Sequence, residues 1–119
     1  MDDWTKLIRP TQLQQLIINH EEQLPLRGTS RERSYKPVVK LHIPETMCLW
    51  LLSECDNEGM AFGLCQIQCA ELGNVWLPEV AELDIQGLRV IEDTEFVPQL
   101  TVSQYANIAR QNGGMLLLP

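Results

Sequence analysis

The four cysteines are the side chains of this 119-residue chain best suited to metal or disulfide chemistry. They are Cys48, Cys55, Cys65 and Cys69, and no two of them form the C-x-x-C pair typical of structural zinc sites. Around a turn at residues 56–59, strand alternation predicts Cys48, Cys65 and Cys69 on one face and Cys55 on the other, so the four thiols cannot converge. We therefore predict no metal site and no cofactor. Three cysteines joined by a histidine remain an alternative metal site.

The first twenty residues begin acidic and lack the apolar stretch of a secretory signal, and no apolar run is long enough to cross a bilayer. We therefore expect a cytoplasmic protein without membrane contact. Its cysteines should stay reduced and behave as small buried hydrophobes.

Catalytic motifs are not visible in the sequence. The two histidines, His20 and His42, have no serine or cysteine nucleophile in an activating motif beside them. The chain also has no G-x-G-x-x-G or Walker-type loop, no EF-hand and no H-E-x-x-H pattern. We predict that the chain is not an enzyme. An undetected enzyme or metal-binding protein that uses Cys48, Cys65 or His42 is kept as an alternative.

The net charge of −7 is distributed unevenly along the chain. Residues 1–36 sum to +1, whereas residues 37–119 sum to −8. An acidic body repels the phosphates of nucleic acids, so direct nucleic-acid binding is not expected. Acidic clusters near a turn and near a strand end form a candidate surface for a basic protein partner. Its candidate residues are Glu54, Asp56, Glu58, Glu92, Asp93 and Glu95.

A long, basic surface loop is predicted over residues 21–36, where helical periodicity disappears and proline, glycine and serine interrupt the chain. Its candidate partner-binding residues are Arg27, Arg31, Arg33 and Lys36. These cations are suited to binding an acidic partner or to folding back onto the acidic body.

Helices are predicted near both ends of the chain. Pro10 suits the first turn of a helix that runs to about His20, because proline lacks only an N–H group that has no intrahelical partner there. Thr101 and Gln104 have capping-box spacing and open a last helix, which Gly113-Gly114 ends.

A central β-hairpin is predicted over residues 47–69, with Asp56-Asn57-Glu58-Gly59 as its turn. In this register Trp50 opposes Cys65 and Leu52 opposes Gly63, which marks a bulge or a close backbone approach. Both faces of the hairpin are apolar. A helix must therefore cover one face, and a second element or another chain must cover the other.

Shorter elements complete the predicted fold. A strand at residues 38–43 precedes the hairpin, and a strand at 74–77, a helical turn at 78–83 and a strand at 88–93 follow it. The sequence predicts a single α+β domain, residues 1–119, with a mainly antiparallel sheet of about four or five strands between an N-terminal and a C-terminal helix.

Five segments of the chain resemble a bacterial family known as domain of unknown function 2958. They are residues 37–44 (PVVKLHIP), 50–56 (WLLSECD), 61–65 (AFGLC), 71–79 (ELGNVWLPE) and 91–96 (IEDTEF). The resemblance covers about residues 5–110. It implies a protein carried on plasmids, phages and integrative elements, often near antirestriction genes, and therefore a role in mobile-element biology or counter-defence. The family has no established activity.

These observations together predict a non-enzymatic protein-binding module of a mobile element or phage. Its acidic surface would dock onto a basic host protein or nuclease complex, as an inhibitor in counter-defence. A structural or accessory homodimer, which buries the second hairpin face through Trp50 and Trp76, is the alternative.

Overall fold

A five-stranded antiparallel sheet lies between the N-terminal and C-terminal helices in the computed structural model, which describes residues 3–118. The helices are α1 (Pro10–Gln23), α2 (Leu77–Val80) and α3 (Val102–Gln111). The strands are β1 (Val39–His42), β2 (Leu49–Cys55), β3 (Met60–Gln66), β4 (Ala70–Trp76), β5 (Asp84–Ile85), β6 (Leu88–Arg89) and β7 (Ile91–Glu92). The main sheet has the order β4-β3-β2-β1-β7, and β5 pairs with β6 in a separate hairpin. The predicted α+β class with a mainly antiparallel sheet is confirmed.

Helix α1 begins at Pro10 as predicted but extends beyond His20 to Gln23, and a 3-10 turn, Leu24–Leu26, follows it. The extension is stabilised by tertiary contacts, because the side chain of Gln23 is buried and exchanges hydrogen bonds with the backbone N–H and C=O of Arg33. The irregular segment therefore begins at Arg27 and is shorter than the loop predicted over residues 21–36.

The hairpin of β2 and β3 has the predicted register in its first part, with Trp50 opposite Cys65 and Leu52 opposite Gly63. After Leu52, however, one extra residue, Ser53, is accommodated in β2 and the pairing shifts by one position. The close backbone approach at this bulge explains why residue 63 is glycine, because a Cβ atom there would overlap the carbonyl oxygen of Leu51.

The bulge reverses the alternation of the last residues of β2. Cys55 consequently packs in the same core cluster as Cys48 and Trp50, on the α1 side of the sheet. The prediction that Cys55 lies on the opposite face from Cys48 was wrong, because it assumed an uninterrupted period of two.

Two hydrophobic cores lie on opposite faces of the sheet, which confirms that both faces of the hairpin are covered. On one face α1 packs over Leu41, Trp50 and Leu52. On the other face α3 and Leu116 pack over Leu51 and further residues of β2 and β3. The second covering element is therefore part of this chain, and Trp50, which is 1% exposed, is buried within the chain's own core.

The two edges of the sheet differ in length. Strand β7 forms one edge and pairs with β1 for only two residues, because the predicted strand at 88–93 is divided between β6 and β7. Strand β4 forms the other edge and spans seven residues, which is longer than the strand predicted at 74–77. The predicted helical turn at 78–83 is α2, and it follows β4 directly.

Candidate binding surface

The bulge in β2 determines where Glu54 points. Because Ser53 is the extra residue, Glu54 pairs with Phe62 and projects to the α3 side of the sheet, where both residues line a cleft. Glu54 is only 3% exposed, and its Oε1 atom accepts a hydrogen bond from Nη2 of Arg27 at 3.1 Å. Burial raises the pKa of Glu54 and outweighs the opposite influence of Arg27. The carboxylate is therefore incompletely stabilised by its surroundings.

The second carboxylate oxygen of Glu54, Oε2, is not used by Arg27. No hydrogen bond or ion pair to it is found among residues 3–118. Every fully buried side-chain nitrogen and oxygen in this part of the chain nevertheless has a partner. Oε2 must therefore reach solvent, and the cleft is the opening that Glu54 lines.

The cleft has a volume of about 560 Å³ and lies between the segment after α1, strands β2 to β4, and the start of α3. It is lined by Gln23, Arg27, Glu32, Arg33, Ser34, Tyr35, Glu54, Phe62, Asn74, Val102 and Ser103. The segment is fixed to α3 at its far end, where Val102 N–H donates to the Tyr35 carbonyl at 2.9 Å and the hydroxyls of Ser34 and Ser103 are 2.7 Å apart. Both ends of the segment are thus anchored to the domain.

The four predicted residues of the basic loop occupy different environments. Arg27 forms an ion pair with Glu54, so this one cation folds back onto the acidic body of the domain. Arg33 lines the cleft, whereas Arg31 and Lys36 are exposed. Binding of a partner by these cations stays a prediction.

The six predicted acidic residues do not form one continuous surface. Three of them lie at the turn end of β2 and three lie on and after β7, with β1 between these strands in the sheet. Glu54 is buried, so its assignment to the acidic surface is corrected, because the bulge turns it into the cleft. Glu58 and Glu95 are exposed.

The remaining three of the six carboxylates are held by partners within the domain. The backbone N–H of Arg9 donates to one oxygen of Glu92 at 2.9 Å, and the guanidinium of Arg9 binds the other oxygen. Lys40 binds Asp93 at 3.3 Å. Burial acts to raise the pKa of Asp56, but hydrogen bonds from the backbone N–H groups of residues 58–60 lower it overall.

Most of the exposed charge on the body of the domain is negative. Between residues 37 and 118, seven carboxylates are exposed: Glu45, Glu58, Glu71, Glu79, Glu82, Asp84 and Glu95. Only two cations in this range are exposed, Arg89 and Arg110, because Lys40 is buried in its ion pair with Asp93.

Strand β4 presents an open edge between acidic residues. Glu71 lies near its beginning, and Glu79 follows its end in α2. Glu58 belongs to the same corner as Glu79, because the carbonyl of its neighbour Gly59 accepts a hydrogen bond from the N–H of Leu77 at 2.8 Å. The edge is therefore flanked by negative charge at both ends.

The backbone of β4 has groups that point away from the sheet. The N–H of Ala70 donates to the carbonyl of Gly114 rather than to β3. Because antiparallel pairing alternates, the backbone groups of Leu72 and Asn74 and the N–H of Trp76 also point outward, whereas the residues between them pair with β3. The side chains of Met60, Leu72 and Trp76 are 38–40% exposed, and Met60 and Trp76 are cross-strand partners.

No local sequence pattern marks Tyr35, Phe62, Asn74 or Met60 as site residues. The available signal was Gly63, which already indicated a bulge and therefore a change in the direction of Glu54. The cysteines differ in exposure: Cys48 and Cys55 are buried, Cys69 is exposed, and burial raises the pKa of Cys55 to about 12. Within residues 3–118, no group of three or more histidine, cysteine or acidic side chains is arranged to hold a metal ion.

The family of the chain follows from a comparison with family models. The model described as "Protein of unknown function (DUF2958)" matches residues 7–116, which is nearly the whole chain. The chain belongs to this family. The matched DUF2958 region includes every strand and both long helices, so the cleft and the β4 edge lie inside the family domain. No curated protein and no solved structure shows significant similarity to the chain. None of the helices described in residues 3–118 combines the length and apolar character required to span a bilayer.

Proposed function

We propose that the protein is a non-enzymatic protein-binding module of a mobile genetic element or phage, and that its partner is a basic protein. The observation that carries this proposal is the open β4 edge with carboxylates at both ends. In counter-defence, the partner would be a host nuclease complex whose basic surface normally faces nucleic acid, and binding would block that surface.

An extended segment of the partner would pair with β4 as a sixth strand of the main sheet. Outward-pointing backbone groups of Leu72 and Asn74, together with the N–H of Trp76, supply hydrogen bonds for such strand addition. The exposed Met60 and Trp76 side chains supply apolar contact, and aromatic residues of this kind often dominate interface energies.

Charge would select the partner and accelerate its association. A segment with lysine or arginine at its ends would meet Glu71 at one end of β4 and Glu58 and Glu79 at the other. Because these carboxylates are exposed, salt screens their attraction, and the association rate should fall as ionic strength rises.

A random peptide library displayed on yeast tests the proposal with purified protein as bait. We expect enrichment of peptides that combine β-branched residues with terminal lysine or arginine. Selected peptides should lose at least about tenfold in affinity to Asn74→Pro, which removes one outward N–H at an edge position where proline is tolerated. Charge reversal of Glu58, Glu71 and Glu79 to lysine should have a similar effect.

Charge reversal of Glu45 and Glu95 is the matched control, because both are exposed but lie away from β4. The control variant should bind the selected peptides within about threefold of the wild type. The proposal is wrong if no basic peptides are enriched, or if Asn74→Pro binds them as tightly as the wild-type chain does.

A homodimer is a second candidate, and the exposed Trp76 on the open edge favours it over one that buries Trp50. Two copies would pair through their β4 strands, and Asn74→Pro would dissociate them. Light scattering that shows a monomer at high protein concentration would eliminate this candidate.

A further inference from the structure

We infer that the cleft above Glu54 is a receptor for a guanidinium group, such as an arginine side chain of the basic partner, and that Arg27 occupies this position in the free protein. The inference rests on the proposed function for the source of the arginine, but the cleft can be tested without any partner.

Glu54 offers an unused half of a bidentate site. A carboxylate binds a guanidinium best through two parallel N–H···O bonds. Arg27 uses only Oε1, whereas Oε2 has no protein partner in the described chain and therefore reaches solvent, and Glu54 lines the cleft. An incoming guanidinium that binds both oxygens would therefore form a stronger pair than Arg27 forms.

The ion pair between Arg9 and Glu92 provides an internal comparison. The exposure of its two side chains, 45% and 7%, is similar to the 40% and 4% of Arg27 and Glu54. In that pair, however, both oxygens of Glu92 are used by the backbone N–H and guanidinium of Arg9. Both oxygens of Glu92 thus have a partner in the chain, so the two glutamates, whose side chains are 7% and 4% exposed, differ in whether one oxygen stays unused.

Arg27 can leave Glu54 without being buried elsewhere. It lies directly after the 3-10 turn at Leu24–Leu26, and its side chain is already partly in solvent. Its displacement would leave a hydrated guanidinium on the surface, while Glu54 keeps a positive partner. The exchange therefore replaces one ion pair by another instead of exposing a buried charge.

The walls of the cleft favour guanidinium over ammonium. Tyr35 and Phe62 line it, and Phe62 is the direct cross-strand neighbour of Glu54. A planar, weakly hydrated guanidinium stacks on aromatic rings, whereas lysine carries a compact and strongly hydrated charge. The other charged side chains on the walls, Arg33 and Glu32, have opposite signs.

Nα-acetyl-arginine amide is the probe for this site, with binding measured by calorimetry and by NMR chemical shifts. The wild type should bind it weakly, because Arg27 competes for Glu54. Arg27→Met should bind it about tenfold more tightly, because in the wild type the apparent affinity is reduced in proportion to the fraction of time that Arg27 leaves the site free. Glu54→Gln should abolish binding in both backgrounds, and the neutral citrulline analogue should not bind.

Arg9→Met is the matched control and should leave the affinity unchanged. If Arg27→Met does not fold, Arg27→Gln tests the same competition. The pKa of Glu54 in the wild type provides a second readout that needs no variant. The pKa of Glu54, followed through its side-chain carboxyl carbon, should fall when the probe is added, because a guanidinium bound to both oxygens stabilises the ionised form more than Arg27, which binds only Oε1. An unchanged pKa in the presence of saturating probe, or equal affinities of the wild type and the folded Arg27 variant, would overturn the inference.

The two proposals fail in different ways. If the displayed peptides bind β4 but the arginine probe does not bind, only the guanidinium receptor is wrong. If the probe binds as expected but no peptide depends on Asn74, the receptor stands and strand addition at β4 is wrong.

Discussion

The buried side chain of Gln66 should be one of the largest single contributors to the stability of this domain. Gln66 is fully buried in β3, and its amide nitrogen donates to the carbonyls of Met47 and Leu116 at 2.8 and 3.1 Å. Its amide oxygen accepts a hydrogen bond from the N–H of Leu116 at 2.7 Å. Two of these three hydrogen bonds attach Leu116, in the segment after α3, to the central sheet, and the third holds Met47, just before β2.

Replacement of Gln66 by alanine should reduce the free energy of unfolding by about 3–5 kcal/mol. Each lost hydrogen bond contributes about 1 kcal/mol, and the buried N–H and C=O groups of Leu116 lose their partner in addition. The space left by the missing amide adds to the cost. A loss of this size is a large part of the roughly 5–15 kcal/mol that stabilises a typical domain.

Urea denaturation followed by circular dichroism measures this effect, and Gln68→Ala is the matched control. Gln68 lies two residues further along the chain and is exposed, so its replacement should change stability by less than about 0.5 kcal/mol. Hydrogen exchange at the Leu116 amide should accelerate in Gln66→Ala. Equal unfolding midpoints of Gln66→Ala and Gln68→Ala would contradict this prediction.

Three further predictions concern backbone packing, pH and thiol chemistry. Gly63→Ala should destabilise the domain by about 2 kcal/mol or more, because the added Cβ overlaps the Leu51 carbonyl oxygen, while Gly73→Ala meets no atom within 4 Å and should be nearly neutral in the same urea assay. Burial raises the pKa of Glu54 above its ordinary 4.5, so protonation of Glu54 stabilises the folded state. This stabilisation is fully present below pH 4.5 and is lost as pH rises through the raised pKa. Glu54→Gln should abolish this part of the pH dependence, and an unchanged profile of stability against pH in that variant would contradict the prediction. Iodoacetamide should modify the exposed Cys69 while the native fold protects Cys55, as mass spectrometry of digested peptides would reveal, and early modification of Cys55 would show that its burial is incomplete.

Local patterns in the sequence were sufficient for the main elements of the fold. The turn at Asp56 and Gly59 specified the start of the hairpin register, because such a turn allows few alternatives. The apolar character of both hairpin faces required two covering layers, and α1 and α3 supply them. The capping box of Thr101 and Gln104 marked the start of α3 correctly. All these signals depend on residues close together in the chain.

The candidate site depends on interactions between distant parts of the chain, which no local pattern contains. Glu54 looked like an exposed turn residue, but the bulge at Ser53 places it in a cleft opposite Arg27. Arg9 and Glu92 likewise meet although they are 83 positions apart. The composition alone determined that the domain is acidic, with a net charge of −7. Only tertiary packing decided which carboxylates are neutralised inside and which stay exposed, because each ion pair requires the strands and the segment after α1 to be assembled first.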